Sequence, residues 1–344
     1  MSEQRQARLA FIGCGGFATS SIFPNIHRVP RIDLVAVCDI VRAKAERNAR
    51  NFGARRVYTD LEEMLDKEEP DGVFVIGPAP QQYALAPRVL RRGIPVYVEK
   101  PSANTSADAR ELAALAEAHG TWGQVGFMKR FADVYRMAKE ILAREEFGPL
   151  HLVTCKFAQG PYPQIWGIDS AKRAMLIGQL CHIFDLIRFF GGDVRTVQAL
   201  YHEVTPTQFA YLANLEFASG AIGQLDVNSL ESKAAFRDIY EELQLVGLET
   251  NLVCESMVHL RWQRKEDFTT AVPRAGRYLS TFSPTWTGLN SPITYGYLGE
   301  VEHFARRCLG EVEGGPDLWD SYRSLQIGEA IYDSAHGGGV VTIE

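Results

Sequence analysis

Across residues 1–126, short apolar runs and helix-like stretches follow each other in strict succession, and this narrows the fold more than any other feature of the chain. The runs are Leu9 to Ile12, Ile32 to Cys38, Val57-Tyr58, Val73 to Ile76, Val96 to Val98 and Gln124 to Gly126. Between them lie Ile40 to Phe52, Leu61 to Lys67, Gln81 to Arg92 and Ser106 to His119. Runs that do not alternate polar with apolar residues describe strands covered on both faces, the habit of parallel sheets. Strand and helix in turn predict a doubly wound α/β domain, of Rossmann type, over residues 1–126.

Its first turn reads Gly13-Cys14-Gly15-Gly16-Phe17-Ala18, a G-x-G-x-x-A sequence directly after the first strand. A helical stretch follows, and Asp39 ends the second strand. Gly13 allows the tight turn, Gly15 lets backbone approach a pyrophosphate, and Ala18 lets helix and strand pack closely. The diphosphate then sits on free N–H groups at the helix N-terminus, with Gly16 and Phe17 beside it. Asp39 is placed to accept hydrogen bonds from ribose hydroxyls and to repel a 2′-phosphate, so NAD is expected over NADP. The alternative is a glycine-rich turn that caps a helix, with a solvated Asp nearby.

Residues 127–344 change character and are expected to form an α+β domain, to which the resemblance described below assigns substrate binding and oligomerisation. Helical stretches at Phe131 to Arg144 and Leu176 to Phe190 accompany strand-like segments. These are His151 to Phe157, Val194 to His202, Phe209 to Phe217, Ala221 to Asn228, Glu242 to Val246 and Leu252 to Cys254. Long strands joined by short turns such as Ala218-Ser219-Gly220 predict a large, mainly antiparallel sheet. Residues 264–292 read as a long irregular loop, and helices near Ile293 to Leu309 and Leu318 to Ala335 close the chain.

Composition excludes several partners. The 344 residues are 46% hydrophobic and 23% charged with a formal net charge of −6, which offers no footprint for nucleic acid or an anionic membrane. No stretch approaches the roughly 18 to 20 apolar residues of a membrane span, and the N-terminus reads as lacking a signal peptide. The six cysteines (14, 38, 155, 181, 254 and 308) form no C-x-x-C pair. They read as reduced thiols of a cytoplasmic protein without a metal site.

One stretch resists a purely structural reading. In Pro95-Val96-Tyr97-Val98-Glu99-Lys100-Pro101, a core strand ends in a charged pair locked by a proline. Lysine is among the residues least often buried, so one at the mouth of a core strand suggests a task. His182 sits on the helix predicted over Leu176 to Phe190. There Leu176, Leu180, Ile183, Ile187 and Phe190 form a core stripe, and Gly178, His182, Asp185 and Phe189 share another face. A lone helical His is more often structural. Its pKa near neutrality also suits it to take and return a proton.

Taken together, G-x-G-G-x-A, Cys38-Asp39, V-E-K-P, the GFMKRF of Gly126 to Phe131, the His182-Ile183-Phe184-Asp185 helix and the closing SLQIGEAIYDSAHGGGVV resemble the glucose–fructose oxidoreductase and inositol dehydrogenase (Gfo/Idh/MocA) family over essentially the whole chain. The resemblance implies an NAD-dependent oxidoreductase acting on a secondary hydroxyl of a sugar, sugar derivative or cyclitol. It implies Lys100 beside the nicotinamide and the substrate hydroxyl, a cis Lys100–Pro101 bond, and cofactor contacts from Pro78, Gln82, Glu99 and Arg130. His182 and Lys100 would handle the hydroxyl proton, in either assignment. Gln179 would line the substrate site, and Tyr162 and Trp166 are candidates either for stacking on a sugar ring or for the core. The family's large sheet implies a homodimer or homotetramer. The same fold also hosts NAD-dependent glycosidases and dinucleotide-binding regulators. Two positions depart from the family pattern: Gly178 replaces an Asp or Glu four residues before the His, and Gln82 replaces a common His. Gly178 is expected to leave room for a substituent of the substrate.

Overall fold

The computed structural model describes residues 5–231, 239–265, 277–282 and 295–344. The chain divides into two compact units, residues 1–131 with 296–325, and residues 132–295 with 326–344.

The first unit holds β1 (Ala7–Ile12), β2 (Ile32–Cys38), β3 (Arg56–Tyr58), β4 (Gly72–Val75), β5 (Val96–Val98) and β6 (Gly123–Val125), in the order β3-β2-β1-β4-β5-β6. All the pairings are parallel. The strand order reverses between β1 and β4, the switch point where open α/β sheets bind ligands beyond their carboxyl ends. After a short helix α1 (Phe23–Ile26), the connections are α2 (Arg42–Phe52), α3 (Leu61–Glu68), α4 (Ala79–Leu90) and α5 (Ser106–Ala118). Their ends follow local chemistry. Asp60 and Thr105 accept the N–H groups of Glu63 and Asp108 at 2.8 and 3.1 Å, and Gly53 closes α2 at φ 79°.

The unit also takes in a helix from far along the chain, α9 (Tyr297–Cys308). Phe304 packs against Phe74, Tyr97 and Trp122, with ring centroids 4.9, 5.8 and 5.5 Å away. Gly72 makes this approach possible, because a Cβ there would meet Cys308 Sγ at 2.7 Å and the Phe304 ring at 3.0 Å. The division expected at residue 126 is thus one of chain order. In space, residues 296–325 return to cover the first sheet.

The second unit is built on a nine-stranded sheet: β7 (Leu152–Gln159), β8 (Val194–Thr205), β9 (Gln208–Phe217), β10 (Ile222–Asn228), β11 (Ile239–Gly247), β12 (Thr250–Glu255), β13 (His259–Lys265), β14 (Arg277–Phe282) and β15 (Val340–Thr342). The order is β14-β13-β12-β11-β7-β10-β9-β8-β15. Only the β7–β10 pairing is parallel among those described. One face carries the core, with Phe209, Tyr211, Leu215, Phe217, Leu243 and Leu252 buried. Helices α6 (Asp133–Leu142), α7 (Ala171–Gly178) and α8 (Cys181–Gly191), and the end of α10 (Leu318–Gly337), belong to this unit.

Two sequence expectations need correction. Strand β14 occupies part of the stretch read as an irregular loop over 264–292, and β13 enters it; residues 266–276 and 283–294 lie outside the described residues. The charged residues of His259–Lys265 obscured its alternation, in which Leu260 and Trp262 are buried and Arg261 between them is exposed. The single helix expected over Leu176 to Phe190 is two helices bent by 41°. Among the described residues no single helix is long and apolar enough to cross a membrane.

Candidate active site

Three local constructions carry the candidate residues. At the first turn, Gly13 has φ 94°, and a Cβ there would come 1.9 Å from the carbonyl oxygen of Ile76. Only glycine fits between β1 and the end of β4. Gly15 and Gly16 differ: nothing lies within 4 Å of where their Cβ atoms would be. The protein's own packing does not require glycine at these two positions, and the open space suits a ligand lying on the backbone. The Asp39 carboxylate accepts the N–H of Cys14 at 2.7 Å and that of Val41 at 2.8 Å, so it is fixed at the rim of this turn. Ala18 is buried as expected, whereas Phe17 is 42% exposed and Ile40 91%. Burial, reinforced by the Asp39 charge, pushes the Cys14 thiol up to about 12 and keeps it neutral.

At the end of β5, the Lys100–Pro101 bond is cis. Gln82, on α4, is the support of this corner. Its Nε2 donates to the carbonyl oxygens of Glu99 (2.8 Å) and Pro101 (3.2 Å), and its Oε1 accepts the Glu99 N–H at 2.7 Å. Gln82 is buried, so it shapes the backbone that presents Lys100. Pro78 begins α4, and its carbonyl accepts the N–H groups of Gln81 and Gln82 at 2.8 and 3.1 Å. Beyond the proline, the Ser102 and Ser321 hydroxyls meet at 2.8 Å. Glu99 is buried, with its carboxyl receiving the Tyr97 hydroxyl and the Lys100 N–H, each at 3.1 Å. Burial pushes that carboxyl up to about 7, against the opposing pull of the Lys100 charge and the Lys100 N–H. Arg130, the next expected contact, pairs with Asp320 at 3.0 Å.

The third construction lies where α7 meets α8. The carbonyl of Met175 accepts both the Gln179 and Leu180 N–H groups, at 3.0 and 2.9 Å, which ends α7 at Gly178. Leu180 then caps α8 and His182 is its second residue, 6% exposed. The break corrects the view that Gly178 and His182 share one helical face. Asp185 and nearly all of α8 are buried, so the helix has no polar face; it is a core helix covered on all sides. The space at Gly178 is also occupied. A Cβ there would meet the Trp166 ring at 2.8 Å, the Tyr162 hydroxyl at 3.1 Å and Ile165 at 3.4 Å. The room expected for a substrate substituent is filled by the protein's own aromatic side chains. Gln179 is half-buried beside it.

Residues 7–127 match the model of an oxidoreductase family with an NAD-binding Rossmann fold, and residues 139–343 match its C-terminal alpha/beta domain. The chain belongs to the Gfo/Idh/MocA family. It is an oxidoreductase by that membership, with an NAD-binding Rossmann domain over residues 7–127. Inositol 2-dehydrogenase of Pseudarthrobacter chlorophenolicus is 25% identical over 98% of this chain and 96% of that protein. The NAD(+)-dependent scyllo-inositol 2-dehydrogenase of Bacillus subtilis is 24% identical over 99% of this chain and 97% of its own length. A dehydrogenase structure from Chromobacterium violaceum superposes with a TM-score of 0.86 at 23% identity, covering 97% of this chain and 96% of that one.

Within this Gfo/Idh/MocA chain, two groups escaped the sequence reading. Glu300 of α9 is fully buried and within electrostatic reach of Glu99, Tyr97 and Lys100. No local pattern links residues so far apart in sequence. Ile40 and Val41, exposed beside Asp39, were readable only as the start of a helix. Among the described residues no cluster of His, Cys, Asp or Glu could hold a metal ion.

Proposed function

We propose that this protein is an NAD-dependent dehydrogenase that oxidises a secondary hydroxyl of a cyclitol or sugar. The observation that carries this reading is the E-K-P corner: a lysine at the carboxyl end of a parallel strand, its flanking backbone held from behind by Gln82. A chain that buries an amide solely to fix this backbone has a use for the side chain it presents. Inositol dehydrogenases among the relatives favour a polyhydroxylated ring as substrate.

The turn at Gly13, Gly15 and Gly16 is the place for the cofactor's diphosphate, with Asp39 at the ribose. When bound, the nicotinamide supplies the hydride acceptor. Lys100 and His182 are the groups assigned to the hydroxyl proton. One removes it, and the other polarises the oxygen while charge develops there. Tyr162 and Trp166, packed on Gly178, are assigned to the wall of the substrate site. Because the fixed Asp39 carboxylate would face a 2′-phosphate at like charge, NAD is favoured over NADP. We also assign the open face of the nine-stranded sheet, where Leu200 opposes Leu212 and both are exposed, to a homo-oligomer contact.

The test is a panel of inositols, aldoses, sugar acids and nucleotide sugars with NAD and NADP, followed by reduced-cofactor absorbance. Turnover with NAD on at least one cyclitol or sugar is expected. Tight NAD binding with silence across the panel would overturn the dehydrogenase reading. Equal calorimetric affinity for NAD and NADP would overturn the role of Asp39.

A further inference from the structure

Behind Lys100 lies a second layer of ionisable groups that the proposed reaction does not use. Tyr97, Glu99 and Glu300 are all buried in the first unit. Glu99 and Tyr97 press against the backbone of Gly126, where a Cβ would come 2.8 Å from the Glu99 carboxyl and from the Tyr97 hydroxyl. The glycine of the GFMKRF segment therefore gives these two side chains their place. Glu300 reaches the same region from α9. Its backbone carbonyl accepts Gln124 Nε2 at 2.9 Å, and Gln124 Oε1 meets His303 Nδ1 at 2.9 Å.

The groups around Glu99 and Glu300 can be named element by element, with only the Tyr97 hydroxyl and the Lys100 charge and N–H acting on the carboxyls themselves besides the two on each other. From β5 come the Tyr97 hydroxyl and the Lys100 charge, and from α4 the neutral amide of Gln82. From β6 come the Gln124 amide and Gly126. From α9 itself comes His303, which burial holds down at about 4, so that it is neutral at ordinary pH.

The two carboxyls are not equivalent. Glu99 receives two hydrogen bonds and the nearby Lys100 charge. Neither carboxyl oxygen of Glu300 has a hydrogen-bond partner within 3.5 Å among the described residues, and the Tyr97 hydroxyl, already given to Glu99, pulls it down by less than burial pushes it up. Burial raises both, and the charge of one raises the other. The carboxyl with the fewer and weaker donors is the one that keeps a proton, because a poorly paired buried carboxylate costs far more than a neutral acid. Burial and then the Glu99 charge hold Glu300 well above the usual carboxylate range.

We propose that Glu300 is a positioning residue for Lys100: it keeps a proton beside Glu99, so the buried pair carries a single negative charge, and that charge holds the Lys100 ammonium at the end of β5. This rests on the reading of Lys100 as a proton-handling group. Its test uses the unliganded full-length protein and needs no substrate, so failure of the substrate panel would leave it decidable.

Two readouts are required. Infrared spectroscopy at about pH 9, above the Glu99 titration, should show a protonated carboxyl band that disappears in Glu300→Gln and survives in Glu99→Gln. A second band should grow as pH falls through about 7 and be absent in Glu99→Gln. Reductive methylation with formaldehyde and cyanoborohydride, quantified at Lys100 by peptide mass spectrometry, reads the charge pair. Glu300→Leu replaces the polar group of residue 300 with an apolar one, favours the neutral form of Glu99 and should speed Lys100 methylation by at least about threefold, the ratio that half a pH unit represents. Glu300→Gln keeps a neutral polar group of the same shape and should leave the rate as it is. Thermal melts of both variants establish that they fold. A carboxyl band that persists at about pH 9 in Glu300→Gln would overturn the proposal, as would a Lys100 rate unmoved in Glu300→Leu.

Discussion

At Gln82 one buried amide holds three backbone atoms in place; at Gly178 the lack of a side chain admits a tryptophan ring and a tyrosine hydroxyl. The first construction fixes backbone by directed hydrogen bonds. The second fixes a helix break by filling space. Both lie next to a residue proposed to move a proton, and they differ in what a substitution would damage. Directed bonds fail when a partner is lost, because the freed N–H and C=O groups remain buried. Packed space fails when an atom is added.

The largest effects separate the two proton-handling groups from their supports. Lys100→Ala and His182→Ala should each lower kcat by about 10²–10⁴-fold while NAD affinity changes little. The double variant should lose much less than the product of the two, as groups acting as a unit do. Full turnover in the double variant, on a substrate the panel identifies, would end this assignment.

Next comes the support under Lys100. Gln82→Leu leaves the Glu99 N–H, the Glu99 carbonyl and the Pro101 carbonyl without their partner. Each group so left costs about 1–3 kcal/mol. Urea unfolding should show a loss in that range or larger, together with lower kcat. Stability within about 0.5 kcal/mol of the unmodified protein would place this site among ordinary surface positions, and the support role would fall.

Gly178→Asp is the matching insult to the second construction. Its Cβ alone comes 2.8 Å from the Trp166 ring, so we expect a stability loss of about 1–3 kcal/mol by overpacking and a fall in turnover. Adding Trp166→Ala should restore part of both. A gain of inositol dehydrogenase activity in Gly178→Asp would reverse the comparison. Position 178 would then be a vacated acid site, and its packing incidental.

The same contrast explains what could be read from the sequence. The parallel sheet was legible because its runs are short, apolar and regularly spaced, and the turn because Gly13 must be glycine. The E-K-P corner announced itself through a charge in the wrong place. The break at Gly178 was not legible: Leu176, Leu180, Ile183 and Ile187 keep helical spacing straight through it, since the core wraps both helices. Where the Met175 carbonyl ends α7, Trp166 and Tyr162 from a preceding loop pack onto Gly178, a tertiary contact with no local signature. Glu300 was hidden for the same reason. Its partners stand about 200 residues earlier, and a glutamate on a helix looks solvated until the helix is placed.

The smallest expected effect is a slope. Glu99 is raised by burial from the ordinary 4.5 to about 7 in the folded protein. Between those values the native state holds a proton that the unfolded chain releases. Stability from this group is therefore fully present below about 4.5 and is lost as pH rises through about 7. The slope it adds cannot exceed about 1.4 kcal/mol per pH unit, the limit for one proton. Glu99→Gln binds no proton and should lack this fall, so its stability relative to the unmodified protein should rise between about pH 5 and 8. Glu300→Gln should produce a rise at least as steep across the same window, because folded Glu300 keeps a proton that the unfolded chain releases above about 4.5. Chemical unfolding of the three proteins across this range decides the matter. Parallel curves for Glu99→Gln and the unmodified protein would mean that Glu99 is solvated, and the contrast between a hydrogen-bonded corner and a space-filled one would lose its electrostatic half.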